Sequence, residues 1–535
     1  MNIMPMPMLA FRNRFLCLLT LSLALLTSVF GQSQPPSVTL DYGTFIGVKD
    51  TTTNITSYRG VRYADAPTGG LRWRAAVSPP SKNLGTVNAT KFANTCIMNS
   101  IITAGSAEDC LFGNLYIPAV SGSSTPLPVL VWFHGGGFVS GSSHDANPVP
   151  IFATTREPMI LVSFEYRLGP FGFLAGSAIK NDGLPNAGLH DQRTALRWVQ
   201  RYIGKFGGDP SRVTIWGESA GAGSTMFHLL ANDGNPEGLF RAAIGDSPSL
   251  NQMPSTTDDF LETLFRAFAT AAGCNDLSLS CLRSSNIATL ASAGAKVIQS
   301  RPATLFLFAP HFDGEFITNR PVEGFRNGKI ARVPVIFGAN TNEGAHWSST
   351  ISDPNANTSM PNATQDTVYN FIGGQYPNFS RESFNEAVSL YPLQEFNGSF
   401  ELQGQQMYGE ARYICTAQMI AAGTAAVNRN SFQFHYNNGH LGSDHSAELA
   451  AFWDGDPSGA DVNDRKLFEG MREFWSSFVT SGTQPQSTIA NWKSTDKDGI
   501  QRMLLDPSRP GMENITPKQV ERCTFWHSIS GEINT

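Results

Sequence analysis

The chain contains the stretch Gly217-Glu218-Ser219-Ala220-Gly221, a G-x-S-x-G pattern. A serine placed there can attack a carbonyl carbon, provided a tight strand-to-helix turn thrusts its hydroxyl into a cleft. Such a turn brings backbones close together, which the flanking glycines permit. The pattern recurs by chance, so context decides. Val213-Thr214-Ile215-Trp216 just before it predicts a short strand, and the residues after it, through Leu230, read as a helix. A plain glycine-rich turn with a surface serine would not need that context.

Attack on a carbonyl builds negative charge on its oxygen, and fixed N–H donors must meet that charge. Losing one such donor typically costs about 3–4 kcal/mol of barrier. His134-Gly135-Gly136-Gly137-Phe138 follows the apolar run Val129 to Phe133, and its glycines allow close approach to a substrate. Gly136 and Gly137, with Ala220 after the serine, are the candidate oxyanion donors. A flexible loop is the plainer reading, but a glycine run upstream of a nucleophile turn favours the catalytic one.

The serine needs a base, and the base needs an orienting acid. In this arrangement the chain order is serine, acid, histidine. His311, His346, His435, His440 and His445 follow in loop-like contexts, and order and spacing do not separate the last three. Glu343 follows the run Arg332 to Gly338 at a predicted strand end, where α/β active sites sit.

Several elements would have to position these residues. Val129 to Phe133, Met159 to Tyr166, Val213 to Trp216 and Arg332 to Gly338 are short apolar runs that predict buried strands. Asp191 to Phe206 predicts a helix, with Leu196, Val199, Ile203 and Phe206 on one stripe. Strands alternating with helices predict an α/β fold with a large, mainly parallel central sheet flanked by helices. Ser349 to Phe400, richer in Asn, Ser and Pro, predicts surface helices and loops decorating that sheet.

Composition sets the frame. The chain has 535 residues, 41% hydrophobic and 15% charged, with a formal charge of −6 and no basic run, which argues against nucleic-acid binding. Arg12 and Arg14 precede an uncharged apolar run, Phe15 to Phe30, and Val29-Phe30-Gly31 suits cleavage before Gln32. Residues 1–31 thus read as a signal peptide, too short for a span of about 20 residues, and residues 32–535 as a single domain. With Cys17 in the leader, six cysteines remain: Cys96, Cys110, Cys274, Cys281, Cys415 and Cys523. An even set in an exported chain implies disulfides. Proximity favours Cys96–Cys110 and Cys274–Cys281, leaving Cys415–Cys523. Asn54, Asn88, Asn357, Asn362, Asn378, Asn397 and Asn514 head N-x-S/T sequons, candidate glycosylation sites on a secreted surface. No His, Cys or Asp cluster has metal-ligand spacing, so no metal or organic cofactor is implied. Nothing in the sequence bears on oligomeric state.

From Val38 to Trp526 the chain resembles the type-B carboxylesterase family of α/β-hydrolases, which takes in cholinesterases and fungal lipases. The resemblance rests on Tyr58-Arg59-Gly60-Val61-Arg62-Tyr63-Ala64, Glu108-Asp109-Cys110-Leu111, the glycines after His134, Asn186-Ala187-Gly188-Leu189-His190-Asp191-Gln192, Phe206-Gly207-Gly208-Asp209-Pro210 and the Ser219 motif. It implies a serine hydrolase of carboxylic esters, with a small-molecule or lipid ester as substrate. It assigns the acid to Glu343, in an Asn-Glu-Gly context. It assigns the base to His445, in His445-Ser446-Ala447-Glu448-Leu449, a context His440 lacks. The resemblance also implies three disulfides, including the late bridge from Cys415 to Cys523, and the ion pairs Arg72–Glu108 and Arg167–Asp191. Glu218 is open between tuning local charge and packing the turn. Lipase, sterol-ester hydrolase and feruloyl esterase are rivals within the family. A non-catalytic adhesion module is the rival outside enzymes, disfavoured because serine, acid, histidine and glycines are all present. Two features depart from the family. The segment between Cys96 and Cys110 is short and lacks Trp, Tyr and Phe, against choline esters and against a long lid. Phe112-Gly113-Asn114 stands where the family has an aromatic-Leu-Asn.

The leader reading has a direct check. N-terminal sequencing of the exported protein is expected to begin at Gln32, and recovery of chains still starting at Met1 would contradict it.

Overall fold

The computed structural model describes residues 35–119, 125–428 and 430–535. The leader assigned to residues 1–31, with Cys17, lies outside them. Residues 36–535 form one unit, built on an eleven-stranded sheet. In chain order its strands are β1 (Val48–Lys49), β2 (Ile55–Arg62), β3 (Phe112–Pro118), β4 (Leu127–Phe133), β5 (Ile160–Phe164) and β6 (Gly208–Glu218). There follow β7 (Ala242–Asp246), β8 (Val335–Asn340), β9 (Ser431–Tyr436), β10 (Gln501–Leu505) and β11 (Gly511–Asn514). Across the sheet the order is β11-β10-β9-β8-β7-β6-β4-β5-β3-β2-β1. From β5 to β10 every pairing is parallel, and the strands outside them pair antiparallel. The fold is therefore α/β with a large, mainly parallel sheet, as the strand and helix runs predict. Ser37–Leu40, Gly43–Ile46 and Thr86–Asn88 make a separate three-stranded sheet.

Central strands buried on both faces read as continuous apolar runs, and the side chains divide between two cores by the two-residue period of a strand. In β4, Val129, Val131 and Phe133 join one core while Leu130 and Trp132 join the other. In β8, Val335 and Phe337 face the first core and Ile336 the second. Helices α1 (Ala187–Tyr202) and α2 (Ala220–Gly234) close the first core with Leu189, Leu196, Val199, Met226 and Phe227. Helix α3 (Val462–Ser481) closes the second with Leu467, Met471, Phe474 and Trp475.

Three local expectations change. The helix expected over Asp191 to Phe206 starts earlier, at Ala187, and its last residues tighten into a 3₁₀ turn, Ile203–Phe206. The strand β7 went unread, because Ala-Ala-Ile-Gly-Asp carries little bulk; its neighbours supply it instead, with Phe337 lying where a Gly245 side chain would be. Ser349 to Phe400 does more than decorate the sheet. Its helices Gln365–Gln375 and Arg381–Leu390 bury Phe371, Ile372 and Phe384 in a core of their own, shared with Tyr376, Tyr408 and Trp526.

Disulfides join Cys96 to Cys110, Cys274 to Cys281 and Cys415 to Cys523. The last ties the C-terminal helix Pro517–Ser528 to the helix Cys415–Val427. Arg72 pairs with Glu108 at 2.5 Å and Arg167 with Asp191 at 2.7 Å, the latter pair almost wholly buried. Arg167 also donates to the Arg74 carbonyl, so the pair pins the segment after β5 to α1 and to the N-terminal loops. Breaking a buried pair from one side strands a charge, at a cost of about 3–5 kcal/mol. Arg167→Met is accordingly expected to lose that much stability in chemical denaturation, and Arg167→Met/Asp191→Leu to recover most of it. A stable single variant would contradict this role.

Candidate active site

Ser219, the glycines after His134, Glu343 and His445 lie at or beyond the carboxyl ends of parallel strands, the edge at which open α/β sheets place ligands. Ser219 follows β6 directly and precedes α2. Its backbone takes φ 56° and ψ −119°, a region costly for any side chain but glycine. The turn is held shut by contacts that tolerate no bulk. A Cβ at Gly217 would collide with the Gly221 backbone, and one at Gly221 with the Phe133 carbonyl. The Ser219 N–H donates to the Asp246 carbonyl at 2.9 Å, which ties the turn to the end of β7. Ser219 is 6% exposed, so its position is protected yet reachable.

The loop after β4 passes beside it. Gly136 and Gly137 take φ of 98° and 64°, left-handed values that suit glycine. A side chain at Gly135 would meet Glu218 and Ser219, and one at Gly137 would strike the Phe306 ring. The loop is braced from below, since the Gly136 carbonyl accepts from the Val139 and Ser140 N–H groups. Ala220 opens α2, so its N–H lies at the positive end of that helix dipole.

His445 and Glu343 come together from separate loops after β9 and β8. Nδ1 of His445 lies 2.5 Å from Oε2 of the fully buried Glu343. The other carboxylate oxygen accepts from the Ser247 hydroxyl at 2.5 Å and the Asn340 N–H at 2.6 Å. The two loops are stitched together: the Asn342 N–H donates to the Ser443 carbonyl at 2.9 Å, and the Asn340 amide to the Asp444 carbonyl at 2.8 Å. Trp347 and Tyr413 pack on the imidazole, with ring centroids at 5.3 and 4.3 Å. Nε2 of His445 makes no hydrogen bond; its near neighbour is Oε1 of Glu218 at 3.2 Å. Nucleophile–base hydrogen bonds are often loose before substrate binds.

The other histidines stand elsewhere. The exposed His440 pairs with the buried Asp464, His435 with Glu513, and His346 with Asp444 in the open, while His311 is buried. His440, Asp461 and Asp464 group their ligand-type atoms within 4.8 Å, but Asp464 is committed to the Asn438 amide, the Asp461 N–H and His440 itself.

Three further acidic residues stand in or beside the site, one of which, Glu218, the sequence already singles out. Glu218, Asp246 and Glu448 are all buried. Ser446 donates to Glu218 at 2.5 Å, Trp216 to Asp246 at 2.8 Å, and the Asn340 amide to Glu448. Burial pushes the Glu218 carboxyl up and those of Asp246 and Glu448 well above the usual carboxylate range. Burial also pushes His445 down, but the Glu218 and Glu343 carboxylates outweigh it and leave its pKa raised, at about 9. Glu448 had a sequence signal, three places after His445. Asp246, Trp347 and Tyr413 had none: Asp246 and Tyr413 reach the site through folding of remote segments, and Trp347, which donates to the Glu343 carbonyl just before it in the chain, belongs to no motif.

Residues 34–526 match the model of the Carboxylesterase family. Lipase 2 of Diutina rugosa is 35% identical over 62% of this chain, and the match spans 65% of its own length. Secreted lipase 4 of Gibberella zeae is 30% identical over 89% of each chain. The solved structure of EstA from Aspergillus niger superposes with a TM-score of 0.83 at 29% identity, covering 94% of this chain and 99% of that one.

Because Glu218 stabilises the protonated imidazole, removing its charge lets His445 lose its proton at lower pH. In p-nitrophenyl acetate hydrolysis the wild-type acidic limb is expected to have its midpoint above 6.5, and Glu218→Gln to shift it down by about one unit. An unchanged or upward-shifted limb would contradict the assignment.

Proposed function

Since the chain belongs to the Carboxylesterase family, we propose that it hydrolyses carboxylic esters with Ser219 as nucleophile, His445 as base and Glu343 as orienting acid. The observation that carries this reading is the buried 2.5 Å contact of Glu343 with Nδ1 of His445, set beside a serine on a strained strand-to-helix turn.

The reaction runs in two halves. His445 takes the Ser219 proton at Nε2 as Oγ adds to the ester carbonyl. The N–H groups of Gly136, Gly137 and Ala220 receive the oxyanion. Collapse breaks the bond to the alcohol oxygen, His445 returns its proton to that oxygen, and the acyl group stays on Ser219. Water then adds in the same way, with His445 again taking and returning the proton, and the free acid leaves. Glu343 keeps the Nδ1 proton in place and stabilises the imidazolium of each half. In this reading residues 1–31 export the protein and residues 32–535 are the hydrolase, with the sequons carrying glycans outside the cell. The short loop between Cys96 and Cys110 favours small esters over long-chain lipids. No helix among the described residues is long and apolar enough to cross a membrane.

Ser219→Ala is expected to lower kcat on p-nitrophenyl acetate by about 10⁶-fold, and the wild type to prefer the acetate to the palmitate in kcat/KM. Wild-type turnover in the variant would overturn the assignment; a preference for palmitate would favour a lipase.

A further inference from the structure

Six arginines are buried in the described residues: Arg72, Arg167, Arg193, Arg412, Arg502 and Arg522. Five have carboxylate partners. Arg412 has none. Its guanidinium donates through Nη2 to the Asn251 amide oxygen at 2.9 Å and through Nε to the Tyr413 hydroxyl at 3.1 Å. It lies over the rings of Phe306, Tyr408 and Tyr413 at 4.8, 5.8 and 5.6 Å. Ring faces and neutral oxygens compensate a cation only in part, and a buried charge without a counter-charge is costly. Arg412 sits in a π-helical turn, Glu410–Ile414, between two regular helices, an irregularity that recurs at functional sites.

A small cleft opens against this guanidinium, lined also by Asn251, Thr304, Phe306, His311 and Gln375. His311 is 1% exposed, and neither ring nitrogen forms a well-aligned hydrogen bond, the Ala309 backbone being at most a weak partner. Burial holds its pKa down, at about 4, so the ring is neutral and offers one N–H. The Gln375 amide is spent on the Ala303 and Phe371 carbonyls and the Leu305 N–H. The unmet groups of the cavity are thus one cation and one imidazole. Phe306 joins the cavity to the reaction centre: its ring occupies the space a Gly137 side chain would take and meets Trp347, which packs on His445.

We propose that Arg412, aided by His311, receives a carboxylate carried by the substrate, so that the enzyme favours esters bearing a second, free carboxylate, such as half-esters of dicarboxylic acids. Arginine binds a carboxylate through parallel N–H donors, a strong and geometrically selective contact. The inference rests on the ester-hydrolase reading above and extends it to substrate choice. The carboxylate can belong to the acyl part or to the alcohol, and the test separates the two.

Two matched pairs are compared by kcat/KM, each corrected for spontaneous hydrolysis. p-Nitrophenyl hydrogen adipate against p-nitrophenyl hexanoate places the charge on the acyl side; 3-acetoxybenzoate against phenyl acetate places it on the alcohol side. The wild type is expected to favour the charged member of one pair. Arg412→Met is expected to lower that ratio by about 10- to 100-fold, the range for a hydrogen bond to a charged group, His311→Leu to lower it less, and Arg412→Lys to keep part of it. The neutral ester in each pair reports whether a variant has folded. Should Arg412→Met lose neutral-ester hydrolysis as well, the wild-type and Arg412→Lys ratios decide. Equal treatment of charged and neutral esters by the wild type in both pairs overturns the proposal, as does a ratio unchanged in a folded Arg412→Met. Failure of the wild type to hydrolyse even the neutral esters would instead sink the ester-hydrolase reading itself.

Discussion

The contact between the Glu343 carboxylate and His445, 2.5 Å long and closed off from solvent, is the constraint on which the rest of the site depends. A buried carboxylate is expensive unless its oxygens are satisfied. Ser247 from the end of β7, the backbone of Asn340 from the end of β8, and the imidazole from beyond β9 together meet that demand. Three adjacent strand ends must therefore stay in register for one side chain to keep its hydrogen-bond partners. The parallel centre of the sheet supplies that register, and a single parallel bridge between Asn342 and Asp444 carries it past the strand ends into the loops.

Around this contact the protein buries more carboxyl groups than cations. Desolvation drives Asp246 and Glu448 toward their neutral forms, so they act as hydrogen-bonding polar groups in the floor of the site. Glu218 stands differently. It lies beside Nε2 of His445, the nitrogen that takes the serine proton in the proposed reaction, and accepts from the Ser446 hydroxyl. The same residue that packs the serine turn also sets how readily the imidazole keeps its proton. Both readings of Glu218 therefore hold at once, since one side chain close to both groups cannot serve one without affecting the other.

Much of this was legible in the chain. The strand before Ser219, the glycines around it and the glycine run after His134 are local features, and local sequence records them because backbone crowding leaves few residue choices. Glu343 was legible from its place at a strand end. His445 was not separable from His435 and His440 by spacing, because all three lie within or shortly after β9 and only the folded loop aims one of them inward; a family motif was needed. Tyr413, Trp347, Phe306 and Arg412 left no signal. They come from an irregular segment, the turn after Glu343 and a π-helical turn, none of which carries a motif, and their ring contacts are with one another.

The central claim is that Ser219 is the activated nucleophile and that His445, held by Glu343, activates it. Labelling with a fluorophosphonate, followed by peptide mass spectrometry, tests it most directly, because the probe bonds to an activated serine whatever the natural substrate. The account predicts one label per chain, on the peptide containing Ser219, and its loss in His445→Ala. A label on another serine, or undiminished labelling of Ser219 in that variant, would contradict it.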